Sequence, residues 1–464
     1  MLSIILALLP GVAGAADGDP IASSAYAIDV FVGPVLGSSR AVGLSGAFSS
    51  IAEGVEGLLW NPAAVANRYP YSLSWWDYDL DAGFLLPTGV AGTDFDNDGE
   101  TSTDYRSFSV GLLGGALQFG YLGLGAEGAI QNYQVETRDE TGAASVADAL
   151  LVTAHLDAAY ALLHGQLVVG TGARVASLSL EGGAEDASLA QVRGVGLEVG
   201  LLVRPDGEPF RFSVVGRTDV REQGRDCSED REAGGFFLPC QVVVPWEVQS
   251  GFSWMLGPKP YNPRWVNPNG VRDELRKTVD RRRAQRRLAA ELRLAQAPPA
   301  LYWQEAGRIT AEETRTREAE EREIDREEAR LERARKRALR RAPRRYLLLS
   351  ADLALTGPVE GGVGIESFVQ QVERRSGNTL SVTPRLGLEG EVWPDRLRLR
   401  GGSYLEPSRF DDQGSRPHGT FGLDLRLFYT TLWDVFARFG VRASGVIDVA
   451  PRYLQLAVSV GIWH

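Results

Sequence analysis

Apolar and polar side chains alternate along much of this chain, with the period of two that a half-buried strand imposes. Near its end Leu454, Leu456, Val458, Val460 and Ile462 share one face, and Tyr453, Gln455, Ala457, Ser459 and Gly461 the other. The same dyad runs through Leu167, Val169, Ala173 and Val175, through Val195, Leu197, Val199, Leu201 and Val203, and through Val242, Val244, Trp246, Val248, Phe252 and Trp254. It recurs in Phe421, Leu423, Leu425 and Leu427, and in Val435, Ala437, Phe439 and Val441. One face suits lipid and the other a lumen. Short turns such as Pro205-Asp206-Gly207 and Pro394-Asp395 alternate with longer polar loops, which predicts an all-β, antiparallel transmembrane barrel of about fourteen strands running from near Tyr71 to His464. Even parity puts both ends in the periplasm and sends the loops near 78–104, 138–149, 181–190, 221–240, 357–378, 406–417 and 446–451 outward.

The polar faces carry Arg385, Glu389, Glu391, Arg396, Arg398, Arg400, Asp424, Arg426, Asp434, Arg438 and Arg442. On a lipid face each charge would cost about 2–4 kcal/mol near the bilayer midplane, so these side chains point inward and pair, which implies a braced barrel and not an open pore. A soluble sandwich would alternate in the same way. Export separates the two readings: Met1–Ala16 is an apolar stretch of signal-peptide length ending in small residues, cleaved after Ala15 or Ala16 so that the mature chain starts near Asp17, although it lacks the usual basic n-region. No later segment approaches the roughly 18–20 apolar residues of a membrane helix, so any span must be made of strands. The 53 Gly and 10 Trp, with only two Cys and two Met, fit that class.

Residues 17–70 precede the first strand. They hold Arg40, a run of small residues with Gly43 and Gly46, the acidic Glu53 and Glu56, and Asn61-Pro62-Ala63. Small glycines permit close backbone packing, and Asn before Pro favours a capped turn. The pattern resembles the N-terminal hatch of the FadL family of outer-membrane transporters, and Pro384–Glu389 followed by Arg398–Ser408 is similar to a late hairpin of that group. The resemblance covers nearly the whole chain except residues 257–345. It implies a hatch that plugs the barrel, held by Asn61, Pro62 and Ala63, and passive uptake of fatty-acid-like hydrophobic small molecules at the lipid- and lipopolysaccharide-rich outer membrane. In what reads as the third strand, apolar parity runs through Leu117, Phe119 and Tyr121 and then switches to Leu122, Leu124, Ala126 and Ile130. A switch requires a bulge or kink at Gly120, Tyr121, Leu122 and Gly123. It is either an ordinary twist-inducing bulge or, as the family resemblance implies, a kink that opens the wall sideways.

Asp94, Asp96 and Asp98 followed by Gly99 match the start of a calcium loop, but Tyr105 stands at the twelfth position, where a bidentate acid belongs, and Asp104 comes one residue early. The stretch 94–104 therefore reads either as a calcium site or as an acidic loop. Cys227 and Cys240, in one outward loop of an exported chain, predict a local disulfide. His155 beside Asp157, and His418, are the available catalytic bases, yet no matching Ser motif accompanies them, so the chain reads as a non-enzyme.

Between residues 257 and 345 the alternation stops and about ten more Lys and Arg than Asp and Glu appear. Two helices, near Val271–Ala297 and Gln304–Arg341, are predicted around Pro298-Pro299, with i,i+4 pairs Glu313–Arg317, Glu318–Arg322 and Glu332–Lys336. Ile324 and Leu331 are too sparse for a deep coiled-coil seam. The insertion interrupts a periplasmic turn after the eighth strand. It is either a self-supporting solvated arm or a docking arm for a periplasmic protein or the cell-wall polymer. The second option favours a non-transporting scaffold or shuttle of the PorV-like kind. No nucleic-acid partner is implied.

Overall fold

The structure, a computed structural model, describes residues 18–31, 33–69, 72, 74–86, 93–99, 105–138, 144–182, 187–222, 230–233, 236–411, 413–430 and 439–463. The signal segment Met1–Ala16, and Cys227, Asp434 and Arg438, lie outside these residues.

Fourteen antiparallel strands close into a barrel, as the alternation predicts. They are β1 (Trp76–Leu86), β2 (Tyr105–Phe119), β3 (Leu122–Arg138), β4 (Ala144–Leu162), β5 (Leu167–Gly182), β6 (Ala187–Val203) and β7 (Phe210–Arg217). β8 (Glu247–Leu256), β9 (Leu347–Thr356), β10 (Ser381–Trp393), β11 (Leu397–Glu406), β12 (Arg416–Thr430), β13 (Phe439–Ala450) and β14 (Tyr453–Trp463) complete the ring. β14 pairs with β1, so no edge is left open. In β14, Leu456, Val458 and Val460 are exposed on the outer face while Gln455 and Ser459 are buried on the inner one. Among the described residues no helix is long and apolar enough to cross a membrane.

Four expectations need correction. The parity switch at Gly120–Tyr121 is not a kink within a strand but the two-residue turn that joins β2 to β3, with Phe119 paired to Leu122 and Leu117 to Leu124. Directly opposed residues point to one face, so apolar parity reverses across a two-residue turn just as it does across a bulge. β3 then pairs with β4 without a register shift from Leu122 to Arg138. Second, Val242 and Val244 do not extend β8: Gln241–Val243 pairs in parallel with Ala27–Asp29, which pairs on its other side with Gly362–Gly364. Third, the loop placed at 78–104 starts only after β1 ends at Leu86, and the one placed at 446–451 is a tight turn between Ala450 and Tyr453. Arg396 sits exposed in the turn after β10 rather than in the lumen.

The core lies where the N-terminal segment fills the barrel. A fourteen-stranded ring is too wide for its own side chains to pack solid. Here Val42, Leu44, Phe48, Ile51 and Leu58 plug it, each at most 1% exposed. The plug comprises a short helix α1 (Ser39–Gly43), whose N-cap Ser38 accepts from Ala41 N, and tight turns at Val55–Gly57 and Pro62–Ala66.

After β8 the chain leaves the barrel as an antiparallel pair, α2 (Pro268–Ala295) and α3 (Tyr302–Arg341). At about 1.5 Å per residue the arm reaches some 40 Å. Ion pairs zip it: Arg272–Glu328 (3.1 Å), Arg283–Glu320 (2.9 Å), Arg286–Glu313 (3.1 Å) and Arg293–Glu305 (2.9 Å). The three expected i,i+4 pairs are present as well. Val279 and Ile324 are among its few buried apolar side chains.

Candidate functional site

The hatch is fixed to the wall by polar contacts and by missing side chains. Arg40 grips Glu389 of β10 with both arms of its guanidinium, at 2.9 and 3.1 Å, and reaches Glu53 at 3.3 Å. Burial would raise the Glu53 carboxyl, but Arg211 and Arg40 outweigh it and hold it below its ordinary value. Glu56 of the hatch meets Arg442 of β13 at 2.6 Å, and Arg442 also holds Asp81 of β1 at 2.6 Å. Ser49 Oγ lies 2.8 Å from Ser213 Oγ of β7, and Ser49 N donates to Asp352 of β9 at 2.9 Å.

Asn61 does two jobs. Its Oδ1 accepts from Ala63 N at 2.9 Å, capping the turn that begins at Pro62, and its Nδ2 donates to Ser49 O at 3.1 Å. The wall opposite is glycine. A Cβ on Gly200 would lie 2.1 Å from Asn61 Oδ1, one on Gly170 2.4 Å from Ala63 N, and one on Gly123 2.1 Å from Val65 O. Gly123 therefore makes room for the hatch and bends nothing. Gly43 packs against Arg400 and Gly422 in the same way, and Gly46, at φ +70°, lies under Trp60. The wall glycines Gly170 and Gly200 went unrecognised in the sequence, although their place on the lumen parity of long strands is a signal.

The remaining lumen charges pair with one another or lie over aromatic rings. Arg400 binds Asp424 at 2.8 Å and Glu389 at 3.3 Å, all three buried. Arg385 lies over the Trp60 ring (5.2 Å) and Arg398 over Trp463 (4.1 Å). Arg426 pairs with Asp395 and donates to Tyr429 Oη at 2.5 Å. His418 is clamped between Asp448 (2.9 Å) and Glu406 (2.7 Å), both ring nitrogens engaged, so it braces the wall.

Two cavities flank this lattice. One of about 120 Å3 lies toward the arm, among Arg40, Glu53, Glu56, Arg211, Lys259, Glu389, Arg398 and Arg442, with Met255 and Tyr346. Burial and Arg398 push Lys259 down to about 8. The other, of about 190 Å3, lies toward the loops, where Val30, Phe31, Leu151, Val175, Val220 and Val244 line it together with the polar and charged His155, Arg174, Glu247 and Arg385. Next to it the β6–β7 ladder is short, running only from Glu198–Arg217 to Val203–Phe212. Beyond it Val195 and Arg221 form an isolated bridge.

In the acidic turn Asp94 accepts from Asp98 N (3.1 Å) and Gly99 N (3.2 Å). Arg416 stands 3.7 Å from Asp94, Arg452 3.8 Å, and Arg374 pairs with Asp98. Burial, then Glu366, Asp98 and Asp94, push Asp96 well above the usual carboxylate range. Cys240 is disulfide-bonded.

The sequence matches no protein-family profile and no curated protein. Among solved structures the chain is similar to a Pseudomonas aeruginosa FadL homologue, with 10% identity over 96% of this chain and 99% of that one and a TM-score of 0.46. It is similar to the Pseudomonas putida toluene transporter TodX (10% identity, 95% and 99% covered, TM-score 0.46) and to the monoaromatic hydrocarbon channel CymD (10%, 93% and 96%, 0.43).

Proposed function

We propose that this protein is an outer-membrane channel that admits hydrophobic small molecules by passive diffusion when its hatch shifts. The observation that carries the reading is a barrel with an apolar outer face whose lumen is filled by a separate N-terminal segment, docked through ion pairs and glycine-lined contacts instead of through the strand ladder. Such contacts release without unfolding the wall. The loop-side cavity receives the molecule against its apolar side, and the segment carrying Val30 and Phe31, continuous with the hatch, sets its size. Charged groups around the arm-side cavity disfavour onward passage of apolar cargo. Exit is therefore lateral, beside the short β6–β7 ladder and not at Gly120–Gly123. The acidic turn serves as an arginine-held lock between loops, with calcium competing for its carboxylates. Barrel reconstituted in vesicles should raise the flux of a labelled hydrophobic probe above that of empty vesicles; equal flux ends the reading.

One observation favours a second reading, a scaffold that uses the arm to hold a partner. Leu301, Tyr302 and Trp303 at the arm's tip are 50%, 40% and 83% exposed, a costly display for a solvated spacer.

A further inference from the structure

We propose that His155, Asp157 and Glu198 form a binding site for a first-row divalent metal ion such as zinc on the inner wall of the barrel. The register builds the site. Asp157 of β4, Gly172 of β5 and Glu198 of β6 lie in one row across three strands. Gly172 contributes no side chain, and a Cβ there would fall 1.7 Å from Asp157 Oδ1, so the two carboxylates share the space that a larger residue would occupy. His155 stands two residues from Asp157 on the same face, its Nδ1 2.7 Å from Glu198 Oε1. One donor atom from each of the three lies within 4.8 Å of the others.

The second observation is electrostatic. Asp157 is 5% exposed, and no donor reaches either of its carboxylate oxygens, which face the Glu198 carboxyl instead. A buried carboxylate in that state requires a proton or a cation. None of the nearby cations binds Asp157: Arg217 Nε binds Glu198 Oε2 at 3.1 Å and its Nη1 binds Glu247 at 2.5 Å, while Arg174 donates through Nη2 to Thr218 O at 2.6 Å and its buried Nε has no hydrogen-bond partner. In this row and the next, the four carboxylates Glu127, Asp157, Glu198 and Glu247 outnumber the guanidinium groups Arg174 and Arg217, even with Arg385 of β10 acting on Glu247. The surplus of negative charge is what a divalent ion would neutralise.

The donor set selects the ion. One imidazole nitrogen with two carboxylates suits zinc and its first-row neighbours better than calcium or magnesium, which take oxygen donors. Arg217 orients Glu198 from behind, the part that outer hydrogen bonds play around metal ligands. Three protein ligands leave a coordination position open, and His155 borders the loop-side cavity, so water or a polar head of a bound molecule could complete the shell.

Zinc titration of chelator-treated, detergent-solubilised protein, followed by calorimetry and metal analysis, tests the site. Wild type is expected to bind one equivalent that His155→Gln and Asp157→Asn weaken at least tenfold, while His164→Gln does not. Cobalt should give the visible absorption of a low-coordinate site in wild type and not in either variant. Heat-modifiable migration reports assembly, and the near-isosteric Asp157→Asn keeps the test open if His155→Gln fails to fold. Wild type that takes up no zinc, or binds it equally after both substitutions, overturns the proposal and leaves a proton shared between Asp157 and Glu198.

Discussion

Arg40 of the hatch and Glu389 of β10 form a two-point ion pair, Nε to Oε2 at 2.9 Å and Nη2 to Oε1 at 3.1 Å, with both groups buried. Removing one partner of a buried pair typically costs about 3–5 kcal/mol, and Arg400, which stays beside Glu389, places Arg40→Ala at the low end. The barrel should still assemble, because its ladder is untouched, but the hatch should loosen. Planar-bilayer recording is expected to show open events in Arg40→Ala that wild type lacks. A silent Arg40→Ala channel would mean that this pair does not hold the hatch.

Gly200→Ala and Gly123→Ala each place a methyl against hatch backbone or Asn61, an overpacking cost of about 1–3 kcal/mol. Both should lift the hatch and raise protease cleavage within residues 39–68 of the folded barrel. Gly128→Ala is the control, since its Cβ would come no closer than 3.6 Å to Thr153 O. Equal cleavage in all three would contradict the docking role.

What the sequence discloses follows from which forces are local. Alternation in β14 and β12 is written residue by residue because each side chain faces either the lumen or the outer surface. The turn at Gly120–Tyr121 was illegible for a related reason: a two-residue turn and a bulge shift parity identically, and only the pairing of Phe119 with Leu122 separates them. Val242 looked like wall because it alternates, yet its partner is Ile28, over 200 positions away. The inward charges could be predicted, but which pair with which, as in Arg442 bridging Glu56 and Asp81, depends on where the plug sits.

Deleting residues 268–341 should leave assembly and probe uptake near wild type, provided Tyr261, Asn262 and Trp265 are kept, since these three are buried against the barrel mouth. Comparing uptake and co-purified protein partners before and after deletion separates the two functional readings. Loss of a stoichiometric partner with unchanged uptake assigns the arm to docking beside transport, and a partner lost from a barrel that takes up no probe even before deletion favours the scaffold.

Acid should unzip the arm. Hydrogen bonds from Arg286, against a smaller opposing effect of burial, lower the carboxyls of Glu313 and Glu320 from 4.5. Groups lowered on folding add stability that is present above about pH 4.5 and lost as pH falls through their lowered values. Each exposed pair contributes only about 0.5 kcal/mol, so the effect comes from the set. Far-UV circular dichroism of the full protein should show the helical signal melting at lower temperature at about pH 3 than at about pH 7 while the strand signal persists. Arg286→Ala should shrink that difference, and an unchanged difference would remove these pairs from the account.

The central claim is that a hydrophobic molecule passes only when the hatch moves, and Ser49 and Ser213 allow it to be locked, because their hydroxyl oxygens lie 2.8 Å apart across the hatch–β7 boundary. The doubly substituted Ser49→Cys/Ser213→Cys protein can be crosslinked in place, with wild type under the same reductant controlling for the disulfide at Cys240. Uptake of a labelled hydrophobic probe into vesicles is the measurement. The account predicts uptake at the empty-vesicle level when the new pair is oxidised and wild-type uptake after reduction; wild-type uptake through the oxidised protein would contradict it.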